Sequence, residues 1–263
     1  MSLKQHIKIA KRNTRITPRL HGWLNRNDGV KIENKATAER VLEILAPSEH
    51  DRSGVFHPSQ LYQCKRRQVF EYYGLETKKT YNPTLQNLFN DGHFRHLRWQ
   101  VMLLNAGILT DVEVKVQWPK YRLAGSMDGV NDDEGWMFEL KGTSQYKSVL
   151  DRGAMPAHIK QVNAYLAASG LESAVIVYEC KSSQQWTEIE VHRDQEIVDE
   201  IESILQDLNR AIDTGELPEV QDECQNQTGE FVKCPHASVC LGFTDRDSVI
   251  EALPSERRVA ISH

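Results

Sequence analysis

At Asp111 the hydrophobic period drops from the 3.6 residues of a helix to the 2 of a strand, and that switch narrows the folds open to the chain. Val112, Val114 and Val116 alternate with polar neighbours across Asp111–Trp118, as a half-buried strand does. Tyr121–Val130 and Trp136–Lys141 are two more strand-like runs. Asn131-Asp132-Asp133-Glu134-Gly135 between them reads as a hairpin connection. Pro156–Ala168 follows as a helix with Gly170 beyond it, then Ser173–Lys181 as an apolar strand. Trp186–His192 alternates again. Asp194–Thr214 is a long amphipathic helix with Ile197, Ile201, Ile204, Leu205 and Leu208 on one face. Upstream, the pattern predicts helices over 36–46, from a Ser59 cap to Tyr73, and from Pro83 to Ala106, the last two stopped by Gly74 and Gly107. Helices followed by β-β-β-α-β-β-α predict an α/β fold.

A chain of 263 residues suits one α/β domain with extensions. Its 40% hydrophobic content excludes a disordered chain. No apolar run approaches the ~18–20 residues of a membrane span, so no membrane partner is expected. The basic N-terminus lacks a following apolar stretch, which predicts a soluble, cytoplasmic protein. Residues 1–27 carry Lys4, Lys8, Lys11, Arg12, Arg15, Arg19 and Arg26 and no acidic residue. That segment reads either as a solvated arm or as one that contacts phosphates. The net charge of −5 argues against a general cationic coat but not against a local basic groove. No P-loop motif occurs, so a built-in motor is not expected.

The polar residues of the second and third strands carry chemistry. Gly125-Ser126-Met127-Asp128 lies in the second and Phe138-Glu139-Leu140-Lys141 in the third. Glu139 and Lys141 share a face, with Phe138 and Leu140 turned to the core. If the strands pair as a hairpin, Asp128 comes beside Glu139. Taken alone, such residues are ordinary surface patterns. Together, two carboxylates and an ammonium at a sheet rim suit metal-assisted hydrolysis. The carboxylates would hold Mg²⁺ or Mn²⁺, which polarises a phosphoryl oxygen and acidifies water, while the lysine orients that water or stabilises charge on phosphorus. His96 on the preceding helix could be a third ligand. Gln161 and Tyr165, four apart, share a helix face that could hold a phosphate or stack a base.

Gly92-x-x-x-His96, Gly125-x-x-Asp128, Glu139-x-Lys141 and Gln161-x-x-x-Tyr165 in this order resemble the motifs of RecB-like PD-(D/E)XK nucleases. The resemblance spans about residues 58–241, leaving 1–57 as a basic arm with a helix and 242–263 as a tail. It implies a restriction-endonuclease-like core, a mixed central sheet flanked by helices. It implies His96, Asp128, Glu139 and the Leu140 carbonyl as metal ligands, Lys141 as a catalytic residue, and Gln161 and Tyr165 as DNA contacts.

Cys64, Cys224, Cys234 and Cys240 make four soft ligands, suited to a 4Fe-4S cluster or to zinc. Zinc sites usually use tight Cys-x-x-Cys pairs, which are absent. The split one-plus-three set resembles the iron–sulfur exonucleases of the same branch, of AddB type and CRISPR-associated RecB type. It departs from them in the nine residues between Cys224 and Cys234. A cluster would staple the Cys64 region to the tail, with Lys65, Arg66 and Arg67 lining a passage for DNA. Cys180 reads as a small core residue.

The resemblance implies a metal-dependent DNA exonuclease acting on single-stranded or free ends, often 5′→3′, in recombination, repair or processing. The absence of a motor resembles stand-alone or phage enzymes, which would act in the host cytoplasm. The competing readings are a non-catalytic DNA-binding scaffold on the same fold and a structure-specific or RNA-directed endonuclease.

Overall fold

The structure is a computed structural model that describes residues 15–26, 37–38, 41–42, 52–75, 83–225, 234–255 and 257–258. Lys4, Lys8, Lys11 and Arg12, and most of the helix expected over 36–46, lie outside the described residues. The chain divides into two compact units. One comprises Met1–Glu49, Asn82–Val116 and Gly125–Val198; the other comprises His50–Tyr81, Gln117–Ala124 and Asp199–His263.

The first unit is built on a five-stranded mixed sheet in the order β1-β2-β3-β4-β5. Its strands are β1 (Asp111–Trp118), β2 (Leu123–Asn131), β3 (Trp136–Thr143), β4 (Ser173–Cys180) and β5 (Trp186–His192). β2 and β3 form the expected antiparallel hairpin, with Asn131 opposite Trp136 and Gly129 opposite Phe138. β3 and β4 run parallel, from Trp136 opposite Ser173 to Thr143 opposite Cys180. Parallel neighbours need a crossover, which the helices at Tyr146–Arg152 and Pro156–Ser169 supply. β4 is buried at every residue, which accounts for its unbroken apolar run. β4 and β5 are antiparallel. This α/β architecture, a mixed sheet flanked by helices, is the fold class expected from the period switch and the resemblance.

The core of this unit joins Trp136, Phe138 and Leu140 of β3 and Val175 and Val177 of β4 to Trp99 and Leu103. The last two lie on the long helix Pro83–Asn105, which ends before Gly107 in the left-handed region (φ 62°). Alternation along β3 then turns Glu139 and Lys141 to the opposite face.

Residues 15–26 are a core element rather than a solvated arm. α1 (Thr17–Leu24) inserts Leu20 and Trp23 into the core, preceded by buried Ile16. The Glu188 carboxylate of β5 accepts the backbone N–H groups of Arg15, Ile16 and Thr17 at 2.6, 2.8 and 2.9 Å. An anion thus satisfies donors that a helix start leaves open. Arg15 pairs with Glu190 at 2.5 Å and Arg19 with Glu134 at 2.7 Å, so neither is a free cation for phosphate.

In the second unit α2 spans Lys65–Tyr72 and begins after Cys64, not at Ser59, which lies in a 3-10 turn over Pro58–Gln60. Gly74 stops the chain with φ 71°, as its position after the helix suggested. β2 begins at Leu123 rather than Tyr121, because Pro119–Tyr121 is a 3-10 turn and Arg122 is left-handed (φ 50°). Arg122 donates to Asn209 at 2.5 Å and to Asp213 at 2.7 Å, and Asn209 donates to the Tyr121 carbonyl at 3.0 Å. Asn209 and Asp213 belong to the helix Gln195–Thr214. A last helix, Arg246–Glu251, carries a capping box between Asp245 and Ser248. No helix among the described residues is long and apolar enough to cross a membrane.

Candidate active site

The β2–β3 hairpin brings Asp128 beside Glu139. Beyond the Gly129–Phe138 pair the Asp128 carboxylate accepts the Leu140 N–H at 2.7 Å through Oδ2. A side chain here does the work of a ladder carbonyl, which locks the Asp128 rotamer. The same oxygen lies 3.3 Å from His96 Nε2. The other ring nitrogen, Nδ1, donates to the Gly92 carbonyl one helical turn back, at 2.9 Å. A carbonyl can only accept, so Nδ1 carries a proton and Nε2 is the nitrogen whose lone pair can serve a metal.

On β3, Lys141 Nζ lies 2.7 Å from Glu139 Oε1. Gln161 closes a triangle with this pair. Its Nε2 donates to Glu139 Oε1 at 2.9 Å and its Oε1 accepts from Lys141 Nζ at 2.9 Å. Both ends of the Gln161 amide are therefore engaged within the site. Tyr165, one turn further along the same helix, is buried with its hydroxyl in contact with Gln161.

The electrostatics follow from burial and crowding. Burial pushes the Glu139 carboxyl up, and the neighbouring Asp128 charge adds to this; Lys141 and His96 offset only part. Asp128 is held below the usual carboxylate range although burial opposes it, chiefly by His96 and by the Leu140 N–H. For His96, burial favours the neutral ring, but the Asp128 carboxylate outweighs it and carries the pKa up to about 9. Tyr165 is raised above its ordinary value by burial and then by Glu139 and Asp128, so its phenol keeps its proton. Glu139 is 3% exposed, and its Oε2 has no hydrogen-bond partner among the described residues. A buried acceptor without a donor, beside a second carboxylate, is a place for a cation.

Supporting residues had little sequence signal. Gln100, one turn after His96, donates to the Asp128 carbonyl at 2.9 Å and to Glu113 Oε1 at 2.8 Å. Ser126 donates to Glu113 Oε2 at 2.9 Å. Glu113 reaches them from a left-handed residue inside β1 (φ 52°), which breaks the alternation Val112, Val114 and Val116 had suggested. The i, i+4 spacing from His96 could have revealed Gln100; nothing local marks Glu113.

In the second unit, Arg66 is buried and donates to the carbonyls of Pro218 (2.9 Å), Cys240 (3.3 Å) and Phe243. It ties α2 to the C-terminal segment. Lys65 pairs with Asp207 at 2.5 Å and Arg67 with Glu71 at 2.7 Å. None of the five cysteines is in a disulfide. The Cys240 thiol is pushed up by burial, and Cys64 and Cys224 lie close enough to raise it further. Cys234 starts the turn that Cys240 ends, its carbonyl accepting the Ala237 N–H at 3.1 Å. Among the described residues no group of three or more His, Cys, Asp or Glu is arranged to hold a metal ion as it stands.

No family model and no curated protein matches the chain. Among solved structures, an alkaline exonuclease from Laribacter hongkongensis is similar with a TM-score of 0.48 and 18% identity, over 62% of this chain and 90% of that one. That enzyme is also known in complex with dAMP. A phage-related exonuclease from Haemophilus somnus 129PT is similar with a TM-score of 0.47 and 12% identity, over 61% of this chain and 94% of that one. Likenesses of this size concern general architecture only.

Proposed function

We propose that the chain is a divalent-metal-dependent deoxyribonuclease that acts as an exonuclease on single-stranded DNA ends. The observation that carries this reading is the Asp128–Glu139 pair with a buried, unpartnered Glu139 oxygen, set between His96 and Lys141. The donor set fits Mg²⁺ or Mn²⁺. Asp128, Glu139, His96 Nε2 and the Leu140 carbonyl would hold the ion. Such an ion supplies Lewis-acid polarisation of a phosphoryl oxygen and acidifies water. Asp128 stays ionised and fixed in rotamer by the Leu140 N–H. His96 yields its Nε2 proton to free a lone pair, while its Nδ1–H bond to Gly92 keeps the ring in place. Gln161 holds Lys141 and Glu139 in mutual register, so that Nζ can turn to a phosphoryl oxygen or to the attacking water. Tyr165, protonated, offers a donor and an aromatic face to the nucleic acid. Lys65 and Arg67 are paired with Asp207 and Glu71 and Arg66 with backbone carbonyls, so their lining of a DNA passage rests on the cluster proposal alone. The preference for single strands, the 5′→3′ polarity and a place in recombination or repair rest on the resemblance of the four ordered motifs.

The test is degradation of end-labelled linear and circular single-stranded DNA with Mg²⁺ or Mn²⁺, by wild type and Asp128→Ala. Shortening of linear DNA alone, lost in the variant, supports the reading. Cleavage of circles would replace it with an endonuclease. No cleavage by a folded, metal-loaded protein would leave a binding scaffold.

Cys64, Cys224, Cys234 and Cys240 belong to the same proposal as holders of a 4Fe-4S cluster. This part of the proposal rests on the resemblance of the split cysteine set, since among the described residues the thiols form no metal-holding group. Iron and acid-labile sulfide in anaerobically purified protein test it; zinc alone would exclude it.

A further inference from the structure

Tyr178 of β4 stands opposite Lys141 in the parallel register, and so on the same sheet face. Its ring is buried and lies 5.6 Å from that of His158, on the crossover helix Pro156–Ser169. Its hydroxyl oxygen accepts the Met155 N–H at 3.0 Å and lies 2.8 Å from His158 Nδ1. Burial holds the phenol protonated, and the acceptor for that proton among the described residues is His158 Nδ1. A Tyr178 hydroxyl that accepts the Met155 N–H and donates to His158 Nδ1 places the ring proton of His158 on Nε2.

His158 is half-buried, and no hydrogen bond is made at its Nε2 among the described residues. Burial and the Lys141 charge push its pKa down to about 4, so the ring is neutral at ordinary pH. It lies three residues before Gln161 and seven before Tyr165, on one helix face. A core histidine satisfied at both nitrogens would have no use for this arrangement. In that tautomer, an Nε2–H donor close to an ammonium suits an anionic ligand.

We propose that His158 Nε2–H is a substrate-binding donor to a non-bridging phosphate oxygen, beside the phosphate that Lys141 serves. This rests on the phosphodiesterase reading above and adds a residue to it. The donor binds phosphate without placing a second cation next to Lys141.

Long-range ¹H–¹⁵N correlation spectra of the full chain read the tautomer. The expected result is an Nε2–H ring that does not titrate near 6.5; an Nδ1–H ring, or a midpoint there, overturns the proposal. Steady-state cleavage of a single-stranded oligonucleotide with Mn²⁺ reads the contact. His158→Ala is expected to raise KM about 10-fold with kcat changed less than about 3-fold, the loss of one hydrogen bond. His158→Gln, whose amide N–H reaches the Nε2 position, restores most of the KM, while His158→Asn, which mimics Nδ1, does not. Tyr178→Phe frees the tautomer and raises KM by a smaller factor. Equal KM for all variants in an active enzyme overturns the proposal and leaves the nuclease reading intact. Wild type that neither binds nor cuts DNA overturns both. A fall in kcat alone, with melting temperature reduced, would assign His158 to packing instead.

Discussion

A carboxylate buried to 3% exposure with one oxygen lacking a donor weakens the metal-free fold. Glu139→Gln keeps the shape and an acceptor for Lys141 while removing the charge. It should leave metal-free stability unchanged or raise it by about 1 kcal/mol, and abolish the Mn²⁺-induced rise in melting temperature. Calorimetry with and without Mn²⁺ checks this; a destabilised variant that still responds to Mn²⁺ would contradict the assigned role. His96 gives a pH signature. Its pKa rises from 6.5 to about 9 on folding, so its ion pair with Asp128 contributes fully below 6.5 and is lost as pH climbs through 9. Metal-free melting temperature should therefore fall across that window, and His96→Gln should flatten this part of the slope. His96, Asp128, Glu139 and Lys141 were legible in the sequence because each is set by short spacing on a strand or helix. Glu113, Ser126, His158 and Tyr178 were not, because their partners lie on other elements.

At the scale of elements, the N-terminal segment shows how charge can hide a helix. Ile16, Leu20 and Trp23 have i, i+4, i+7 spacing and are buried, yet the run of basic residues around them suggested a solvated or a phosphate-contacting arm. Arg15, just before the helix, and Arg19, on it, are paired with Glu190 and Glu134. Leu20→Ala should cost about 2–4 kcal/mol in urea unfolding, as a core deletion does. A cost below about 0.5 kcal/mol would return the segment to the status of an arm. Asp245→Ala removes the cap of the last helix and should cost about 1 kcal/mol. The strands were easier to read than the helix starts. Period-2 alternation covers a whole strand, whereas the Ser59 cap rested on one residue, and Pro58 diverted it into a 3-10 turn.

Across the whole molecule, the barrier to opening should be highest where the sheet is buried on both faces. Hydrogen exchange should be slowest in β4 and its partner β3, and faster in the half-exposed β1. Equal protection across all five strands would contradict this. The amino-acid order alone specified the period switch, the hairpin joining the Asp128 and Glu139 strands, and the sharing of a face by Glu139 and Lys141. These are local matters of backbone period and turn chemistry. Tertiary structure decided which strands run parallel and the burial that drives Glu139 and His96 away from their ordinary protonation. It also closed the Gln161 triangle across β3 and the crossover helix and aligned Tyr178 with His158. Those depend on contacts between residues far apart in the chain, and on the exclusion of water from the space between them, which no local pattern encodes.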